Sequence, residues 1–362
     1  MARRSRAVIG FALLSTLAAA AAAQSRARPV QIAVGTDHTC ARMSDTTVRC
    51  WGDNQYGQLG DGTRVARAQP VAATIAGAVD VQAGDRFTCA RRQDGTVLCW
   101  GYNVYGQLGT GRTSEAIATP TPVARMRGAS ALRLGTATAC AVVGGQLHCW
   151  GRLEPDWDRP NPAPRFVRSR PPIVAASVDD FACVVRQDRS LWCWGSNHPR
   201  RPTQVLAAAT DVAQGGIGGC AVRADATVAC WGWNDSGQLG RELDAQRDNW
   251  TAQPVAIAHV DHARRVVAGG AHRCALLDDG TVRCWGATWG HPSFPRACLR
   301  TTRHSSGGGS AAQWQYCPTP TAVPGIRGAI DLGASGRRTC ALKRDGAVSC
   351  WQADATMTSV RL

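Results

Sequence analysis

The sequence predicts an all-β repeat protein, on two observations. The first is a sequence motif that occurs seven times: two cysteines nine or ten positions apart, the second directly followed by tryptophan. A period of about 40 to 60 residues is typical of architectures in which each unit buries its apolar face only against its neighbours. The second is that each cysteine pair encloses two short strand-like runs around a turn signal, as in a β-hairpin. The seven hairpins are 40–51, 89–100, 140–150, 183–194, 220–231, 274–285 and 340–351.

The second hairpin shows how turn chemistry fixes the register. A three-residue loop over 93–95, ending in a left-handed glycine, places Arg91 opposite Val97 and Cys89 opposite Cys99. Cross-strand Cβ atoms lie about 4.5–5.5 Å apart and a disulfide needs roughly 3.5–4.5 Å, so modest twist closes the bond. We therefore predict a disulfide across this hairpin.

The third hairpin tests that register, because its cysteines are one residue closer. Its loop is Gly144-Gly145, and a two-residue turn again sets Cys140 opposite Cys149. The shorter spacing and the shorter turn compensate each other. The same pairing is predicted for Cys40/Cys50, Cys89/Cys99, Cys140/Cys149, Cys183/Cys193, Cys220/Cys230, Cys274/Cys284 and Cys340/Cys350, with Cys298/Cys317 as the remaining pair.

The six longer turns share an aspartate whose side chain can accept hydrogen bonds from its own turn. It is followed by glycine in three hairpins and by Thr46, Arg189 and Ala226 in the others, where we expect a strained left-handed residue or another turn type. The aspartates are Asp45, Asp94, Asp188, Asp225, Asp279 and Asp345.

Residues 1–23 resemble a secretory signal peptide, with a basic start, an apolar stretch and small residues before Gln24. An uncleaved membrane anchor is the alternative, but the stretch is short and rich in alanine. An even number of cysteines, 16, suits an exported chain with paired thiols. We predict one domain over 24–362, secreted to an extracellular or periplasmic space, without a membrane span. No cysteine spacing fits structural zinc, so neither metal nor cofactor is predicted.

The second half of the repeat carries a recognisable element, seen in Asn54 to Gly60, Asn103 to Gly109 and Asn234 to Gly240. A Pro-Val strand and a glycine-ended strand follow. This pattern resembles the regulator of chromosome condensation repeat family across roughly residues 30–351. The resemblance implies a seven-bladed β-propeller with one four-stranded sheet per blade, which agrees with seven hairpins.

Two departures from the family pattern carry expectations. The Gly-Gln-Leu-Gly element is missing from the third, fourth, sixth and seventh units, whose loops should deviate while their hairpins stay regular. The repeat pattern is incomplete at both ends of the chain, because a lone strand precedes the first hairpin and no glycine-ended strand follows the last one. We therefore expect amino-terminal and carboxy-terminal strands to share one blade and close the ring. The recurring tryptophans are expected to pack between sheets.

The formal net charge is +15, and Lys343 is the single lysine, so the positive charge is almost all arginine. GC-rich codon usage explains that bias; an arginine surface for an anionic partner is the other interpretation. Nucleic acid is not predicted as a partner, because the basic residues are scattered and no nucleic-acid motif occurs.

Three irregular segments are the candidate binding loops: 152–172, 241–253 and 287–320. They contain residue types that dominate interface energetics. The candidate binding residues are Trp157, Phe166, Arg247, Trp250, Trp289, Trp314 and Tyr316.

The predicted function is binding by loops on one propeller face, with another protein as the partner and a monomeric chain. The first alternative is a carbohydrate or envelope-polysaccharide module with tryptophans stacking on sugars. The second is a hydrolase or lyase acting at the central channel, although no catalytic residues are predicted because no nucleophile motif or metal-binding histidine spacing occurs. The family's nucleotide-exchange activity is not carried over, since the residues responsible cannot be matched here.

Overall fold

The structure is a computed structural model that describes residues 27–152, 159–167, 172–178, 181–195, 201–216, 218–243, 249–287, 298–304, 312–352 and 355–362. The described residues form 29 β-strands in seven sheets. Each sheet is a blade built from consecutive strands, the first nearest the central channel. The fold is the predicted all-β seven-bladed propeller. The predicted signal peptide lies outside the described residues.

Blades one to three are regular four-stranded antiparallel sheets. Their strands are β1 (Pro29–Val34), β2 (His38–Met43), β3 (Val48–Gly52), β4 (Arg67–Ala72), β5 (Ala78–Ala83), β6 (Phe87–Arg92), β7 (Val97–Tyr102), β8 (Ala116–Pro122), β9 (Ala129–Leu134), β10 (Thr138–Val143), β11 (Gln146–Gly151) and β12 (Asn161–Val167).

Blades four, five and seven also have four strands, and blade six has a fifth strand, β24, at its outer edge. The strands are β13 (Ile173–Val178), β14 (Phe181–Arg186), β15 (Leu191–Gly195), β16 (Thr203–Leu206), β17 (Ala209–Gly215), β18 (Gly218–Arg223), β19 (Val228–Trp233), β20 (Trp250–Ala256), β21 (Ala263–Ala268), β22 (His272–Leu277), β23 (Val282–Ala287), β24 (Arg300–His304), β25 (Ala312–Ala322), β26 (Ala329–Ser335), β27 (Arg338–Lys343), β28 (Ala347–Gln352) and β29 (Ala355–Arg361).

The predicted hairpin registers are confirmed. In blade two Cys89 faces Cys99 and Arg91 faces Val97, as the three-residue loop requires. In blade three the two-residue turn again brings the cysteines directly opposite each other. Turn length and cysteine spacing therefore compensate as predicted.

All eight predicted disulfides are present. Seven of them cross a hairpin between directly paired residues, with Cα–Cα distances of 4.0–4.2 Å. These seven are Cys40–Cys50, Cys89–Cys99, Cys140–Cys149, Cys183–Cys193, Cys220–Cys230, Cys274–Cys284 and Cys340–Cys350. The eighth, Cys298–Cys317, ties β25 to the turn before β24. The candidate binding loop 287–320 therefore includes β24 and part of β25, which pair as an antiparallel hairpin.

The turn predictions are confirmed as well. Thr46, Arg189 and Ala226 have φ values of 67°, 66° and 63°, so they hold the left-handed conformation that glycine holds elsewhere. The turn aspartates accept hydrogen bonds from the residue two positions later; Asp94 Oδ1, for example, accepts from the Thr96 amide at 2.9 Å and its hydroxyl at 2.7 Å. The same hydrogen bonds form in the turns where Thr46, Arg189 and Ala226 replace glycine in the left-handed conformation, and they stabilise those turns.

The core lies between adjacent blades. Trp100, Trp150, Trp231 and Trp285 are fully or almost fully buried, and one apolar cluster joins Cys40, Cys50 and Leu59 of blade one to Trp100 of blade two. Trp51 and Trp351 are also buried, whereas Trp194 is partly exposed. Most of the recurring tryptophans therefore pack between sheets, as expected.

The expectation that both chain ends share one blade is wrong. Strands β1–β4 complete blade one, and β29 is the fourth strand of blade seven. The ring closes by face-to-face packing of these blades, with Ile32 of β1 donating its amide to Asp331 Oδ2 at 2.8 Å. The sequence already supplies four strands for each end blade, so no strand needs to be exchanged.

Candidate functional site

Alternating strand directions give the propeller two different faces. The loop face holds the turns between first and second strands and the connections between third and fourth strands. The hairpin face holds the disulfide hairpin turns and the connections from one blade to the next. The three candidate binding segments each begin at or after the end of a third strand and cross the loop face to a fourth strand, but 152–172 also contains all of β12 and ends at Pro172, beside Gly145 of the hairpin face.

The Asn-x-x-x-Gln-Leu-Gly segments of the loop face are held by their own side chains. Asn103 Oδ1 accepts from the Leu108 amide at 3.0 Å, and its amide nitrogen donates to the Arg112 carbonyl at 3.1 Å. Gln107 Oε1 accepts from the Tyr105 amide at 3.0 Å. Equivalent bonds recur in the matching segments of blades one and five. Because the buried amides fix the backbone, the residue two positions after the asparagine is presented rigidly.

That residue is Tyr56 in blade one and Tyr105 in blade two, and Tyr102 lies between them. The Tyr56 and Tyr102 rings meet edge to face with centroids 4.8 Å apart, and Tyr102 and Tyr105 follow at 6.3 Å. Arg86 lies 5.5 Å from the Tyr56 ring centroid and Arg152 lies 5.4 Å from that of Tyr105. We call these five residues the tyrosine–arginine row. It crosses the loop face from blade one to blade three.

The row is partly exposed and preorganised. All three tyrosines are half-buried, and Arg86 is exposed. The Tyr102 amide donates to the Arg86 carbonyl at 2.9 Å, which joins the row to the turn at the channel mouth. Burial raises the pKa of the Tyr102 phenol, and the neighbouring Tyr105 and Tyr56 act in the same direction. Tyr102 therefore stays neutral at physiological pH and offers an apolar ring with a hydroxyl group at its edge.

The candidate residues taken from the sequence fall in different environments. Phe166 is 52% exposed on β12 and stacks edge to face on His148, while Trp250 is 37% exposed on β20. Tyr316 is only 6% exposed, and its hydroxyl lies 3.5 Å from Glu242 Oε2, so its ring packs inside the fold. Trp314 lies in β25. Outside the described residues lie Trp157, Arg247 and Trp289.

Trp250 has a partner that the sequence analysis missed. Trp233, 39% exposed, is its direct cross-strand neighbour between β19 and β20. Side chains directly opposite in an antiparallel pair project from the same side of the sheet. Trp233 also occupies the position of Tyr102 in blade two, one residue after the Trp-Gly of the hairpin. Blade five thus presents a pair of exposed indoles beside the loop face.

The central channel holds a second set of residues that sequence reasoning missed. Three first strands have an aspartate as their third residue: Asp80, Asp211 and Asp331. Asp80 and Asp211 line a channel cavity of about 560 Å³ together with Arg133, Arg264 and Arg265. The signal in the sequence was a charged residue at one fixed position of the otherwise apolar, glycine-ended strand.

The channel carboxylates bond mainly to neighbouring blades. Asp211 Oδ2 accepts the Val266 amide of the next blade at 3.0 Å, just as Asp331 accepts that of Ile32. Arg265 forms an ion pair with Asp331. Burial raises the pKa of the Asp211 carboxyl, although Arg265 opposes that shift. Each of these bonds joins two blades. This pattern favours a structural role for the channel carboxylates over the catalytic role that the hydrolase alternative would give them.

Neither a metal-binding cluster nor a membrane-spanning helix occurs in the part of the chain that the structure describes. No grouping of histidine, cysteine, aspartate and glutamate side chains among those residues has an arrangement that could hold a metal ion. Within the same residues, no helix has the length and apolar character needed to cross a membrane.

Comparison with known proteins gives the class of this fold. The sequence profile of the regulator of chromosome condensation (RCC1) repeat matches residues 47–91, 94–150 and 225–276, and a second profile of the same repeat matches 30–58 and 78–107. The matched segments include all three blades with the Gly-Gln-Leu-Gly element. The chain is a seven-bladed β-propeller of RCC1 repeats. It belongs to the RCC1 repeat family. No curated protein sequence matches it significantly.

Solved structures agree with that fold at low sequence identity. Yeast RCC1 (Prp20), solved bound to Kap60, is 19% identical with a TM-score of 0.69, and the match covers 97% of this chain and 86% of that one. Prp20p of Saccharomyces cerevisiae, described with its binding to Gsp1p and histones, is 20% identical with a TM-score of 0.69, covering 90% and 82%. The ectodomain of the Arabidopsis thaliana receptor kinase ACR4 is 20% identical with a TM-score of 0.55, covering 93% and 100%. At these identities the likeness concerns the fold alone.

Proposed function

We propose that this protein is an exported, non-catalytic binding propeller whose loop face docks on another protein. The observation that carries this proposal is the tyrosine–arginine row. Tyrosine and arginine are enriched among residues that dominate protein interfaces, and a rigid row loses little side-chain entropy on binding. The partner would pack on the three rings, and Arg86 and Arg152 would meet polar groups at the two ends.

Export is part of the proposal and has its own support. Eight disulfides and no free cysteine among the described residues are compatible with an oxidising compartment. The apolar segment of residues 1–23 supplies the export signal that such a compartment requires. Yeast Prp20 is described in complex with, or binding to, other proteins, which is consistent with a binding role for this fold.

The test is a cross-linking capture from the envelope fraction of the producing cells with matched variants. Tyr102→Ser combined with Tyr105→Ser removes two rings of the row, and we expect retention of a partner to fall about tenfold or more. Val104→Ala is the control, because Val104 is 41% exposed between these tyrosines and lies outside the row. Circular dichroism should show all variants folded. A partner retained equally by wild type and the double variant would refute the row as the binding site.

A carbohydrate-binding module is the second candidate, and the exposed pair Trp233 and Trp250 favours it. Indole rings on one side of a sheet can stack on the apolar faces of sugar rings. The measurement is intrinsic tryptophan fluorescence during titration with envelope polysaccharide. Saturable quenching that Trp250→Ala abolishes would support this candidate, and an unchanged spectrum in wild type would exclude it.

A further inference from the structure

The outer edge of blade seven differs from that of the other six blades. The strand that pairs with the outer side of each hairpin has one residue opposite the second cysteine, such as Val71 opposite Cys50 and Thr358 opposite Cys350. The residue just before that one is Met357 in blade seven and proline in every other blade. The six prolines are Pro70, Pro120, Pro164, Pro202, Pro254 and Pro320.

The hydrogen-bond pattern gives the direction of the backbone at this position. The Cα atoms of Cys340 and Cys350 are 4.0 Å apart, the short spacing of a pair that no backbone hydrogen bond joins. The N–H and C=O groups of Cys350 therefore point toward β29, where Thr358 is its partner. In blade one the equivalent bond is the donation from the Ala73 amide to the Val48 carbonyl at 3.0 Å.

The direction of these groups alternates along an antiparallel strand. Thr358 and Val360 use theirs to pair with β28, so Met357, Ser359 and Arg361 direct their N–H and C=O groups away from the sheet. The six prolines occupy the same outward position in their own strands. A proline there has no N–H to offer, which hinders the addition of another strand.

β29 lacks the features that protect an edge strand from pairing. It has seven residues, no proline and one charged residue, Arg361 at its end. The extra strand β24 of blade six is also an outer edge, but it carries Arg300 and Arg303 within five residues. Within the described ranges, no strand pairs with the outer side of β29.

The open edge is held in place by its own blade and the two adjacent blades. Met357 packs against the apolar cluster between blades six and seven, and Val360 and Leu362 pack against the cluster between blades seven and one. The hydroxyls of Ser349 and Ser359 lie 3.0 Å apart. A strand that added to this edge would therefore lose little entropy in ordering β29.

We infer that β29 pairs with β29 of a second copy of this chain, in an antiparallel two-fold contact that joins two blades seven into one continuous sheet. A ladder centred on Ser359 places Ser359 opposite its copy and Met357 opposite Arg361, with about six backbone hydrogen bonds. The proline-capped edges cannot form this ladder. A concentration-dependent dimer thus replaces the monomer expected from the sequence.

The charges of the strand suit pairing with itself. In this register the two Arg361 residues are about four positions apart along the ladder, roughly 13 Å, which exceeds the screening length of about 10 Å at moderate salt. No like charges lie opposite each other. The contact is at the rim of the propeller and does not depend on the tyrosine–arginine row.

The experiment is sedimentation velocity of the purified protein between about 1 and 200 µM, where the average mass should rise from monomer toward dimer. Met357→Pro gives blade seven the proline of the other blades and removes one outward N–H on each copy. It should raise the dissociation constant at least tenfold. Met357→Ala is the matched control, because it removes the same side chain and keeps the N–H, and it should stay within about threefold.

Hydrogen exchange on wild type is the second measurement, and it decides even if the proline variant does not fold. The amides of Ser359 and Arg361 should exchange more slowly as the protein concentration rises. The amide of Val360, which is already bonded to β28, should not change. Circular dichroism and melting curves separate loss of pairing from loss of fold.

Four results would overturn the inference. One is a monomer at every concentration, and another is a dimer of equal strength in the proline variant. A dimer in which the outward amides exchange at unchanged rates would place the contact elsewhere on the propeller. Protection of these amides in a monomeric protein, seen only after addition of envelope extract, would assign the edge to a strand of another protein.

Discussion

The two faces of the propeller differ in what their sequence is used for. The hairpin face repeats one element in every blade, a disulfide across a tight turn. The loop face varies from blade to blade, and several of its arginines are paired with acids or placed against tyrosines. The contrast indicates that the disulfide-bonded hairpins hold the fold together. The loop connections are therefore free to diverge for recognition.

The largest expected effect concerns the hairpins. Replacing Cys89 and Cys99 together by alanine should lower the free energy of unfolding by about 2–3 kcal/mol, because the unfolded chain gains the freedom of an open loop of about ten residues. Denaturant titration of the oxidised protein measures this. A double variant as stable as wild type would show that the hairpin cross-links do not stabilise the ring.

The next effect concerns how the loop face is joined to the following blade. The Trp150 indole donates to the Gln107 carbonyl of blade two at 2.9 Å, and Trp100 and Trp285 make the same bond to the blades before them. Trp150→Phe should cost about 2 kcal/mol, since it shortens the buried ring and leaves a carbonyl without its donor.

Trp231→Phe is the matched control for that change. The Trp231 indole nitrogen is buried and finds no partner among the residues that the structure describes. Blade four, which precedes it, lacks the Gly-Gln-Leu-Gly element. The control should therefore cost about 1 kcal/mol less than Trp150→Phe. Equal losses in chemical denaturation would mean that the hydrogen bond to the glutamine carbonyl contributes nothing.

The smallest expected effect is a pH dependence of the free energy of unfolding, caused by His38 near the loop face. His38 is buried and bonds through Nε2 to the Thr88 hydroxyl of blade two at 2.8 Å. Burial, aided by Arg338, lowers its pKa from 6.5 to about 3. The folded state therefore binds fewer protons than the unfolded state between these values, and stability falls as the pH drops below 6.5.

His38→Phe tests this, because Phe87 occupies the same position in blade two. Between pH 7.5 and pH 5.5, wild type should lose about 1 kcal/mol of stability relative to the variant, because the phenylalanine cannot be protonated. Thermal unfolding at both values measures it. A difference that stays constant with pH would contradict a neutral buried histidine.

Local features of the fold were predictable from the sequence, while the arrangement between blades was less so. The register of Cys140 and Cys149 follows from a Gly-Gly turn, and the seven hairpins set the number of blades. Ring closure was predicted wrongly, because the sequence does not show whether β29 pairs within its own blade or with β1. The tyrosine–arginine row was not predicted, because irregular loops supplied the candidates, although Tyr56 and Tyr105 share one repeat position.

The sequence by itself determined the hairpins, their disulfides and the turns, because each is decided by residues within about ten positions of one another. Only the tertiary structure decided which side chains of different blades meet. Tyr56 and Tyr102 come from separate sheets, and the disulfide hairpin turns share a face only because every blade has the same orientation in the ring. Such contacts depend on how sheets pack, which short-range turn chemistry does not encode.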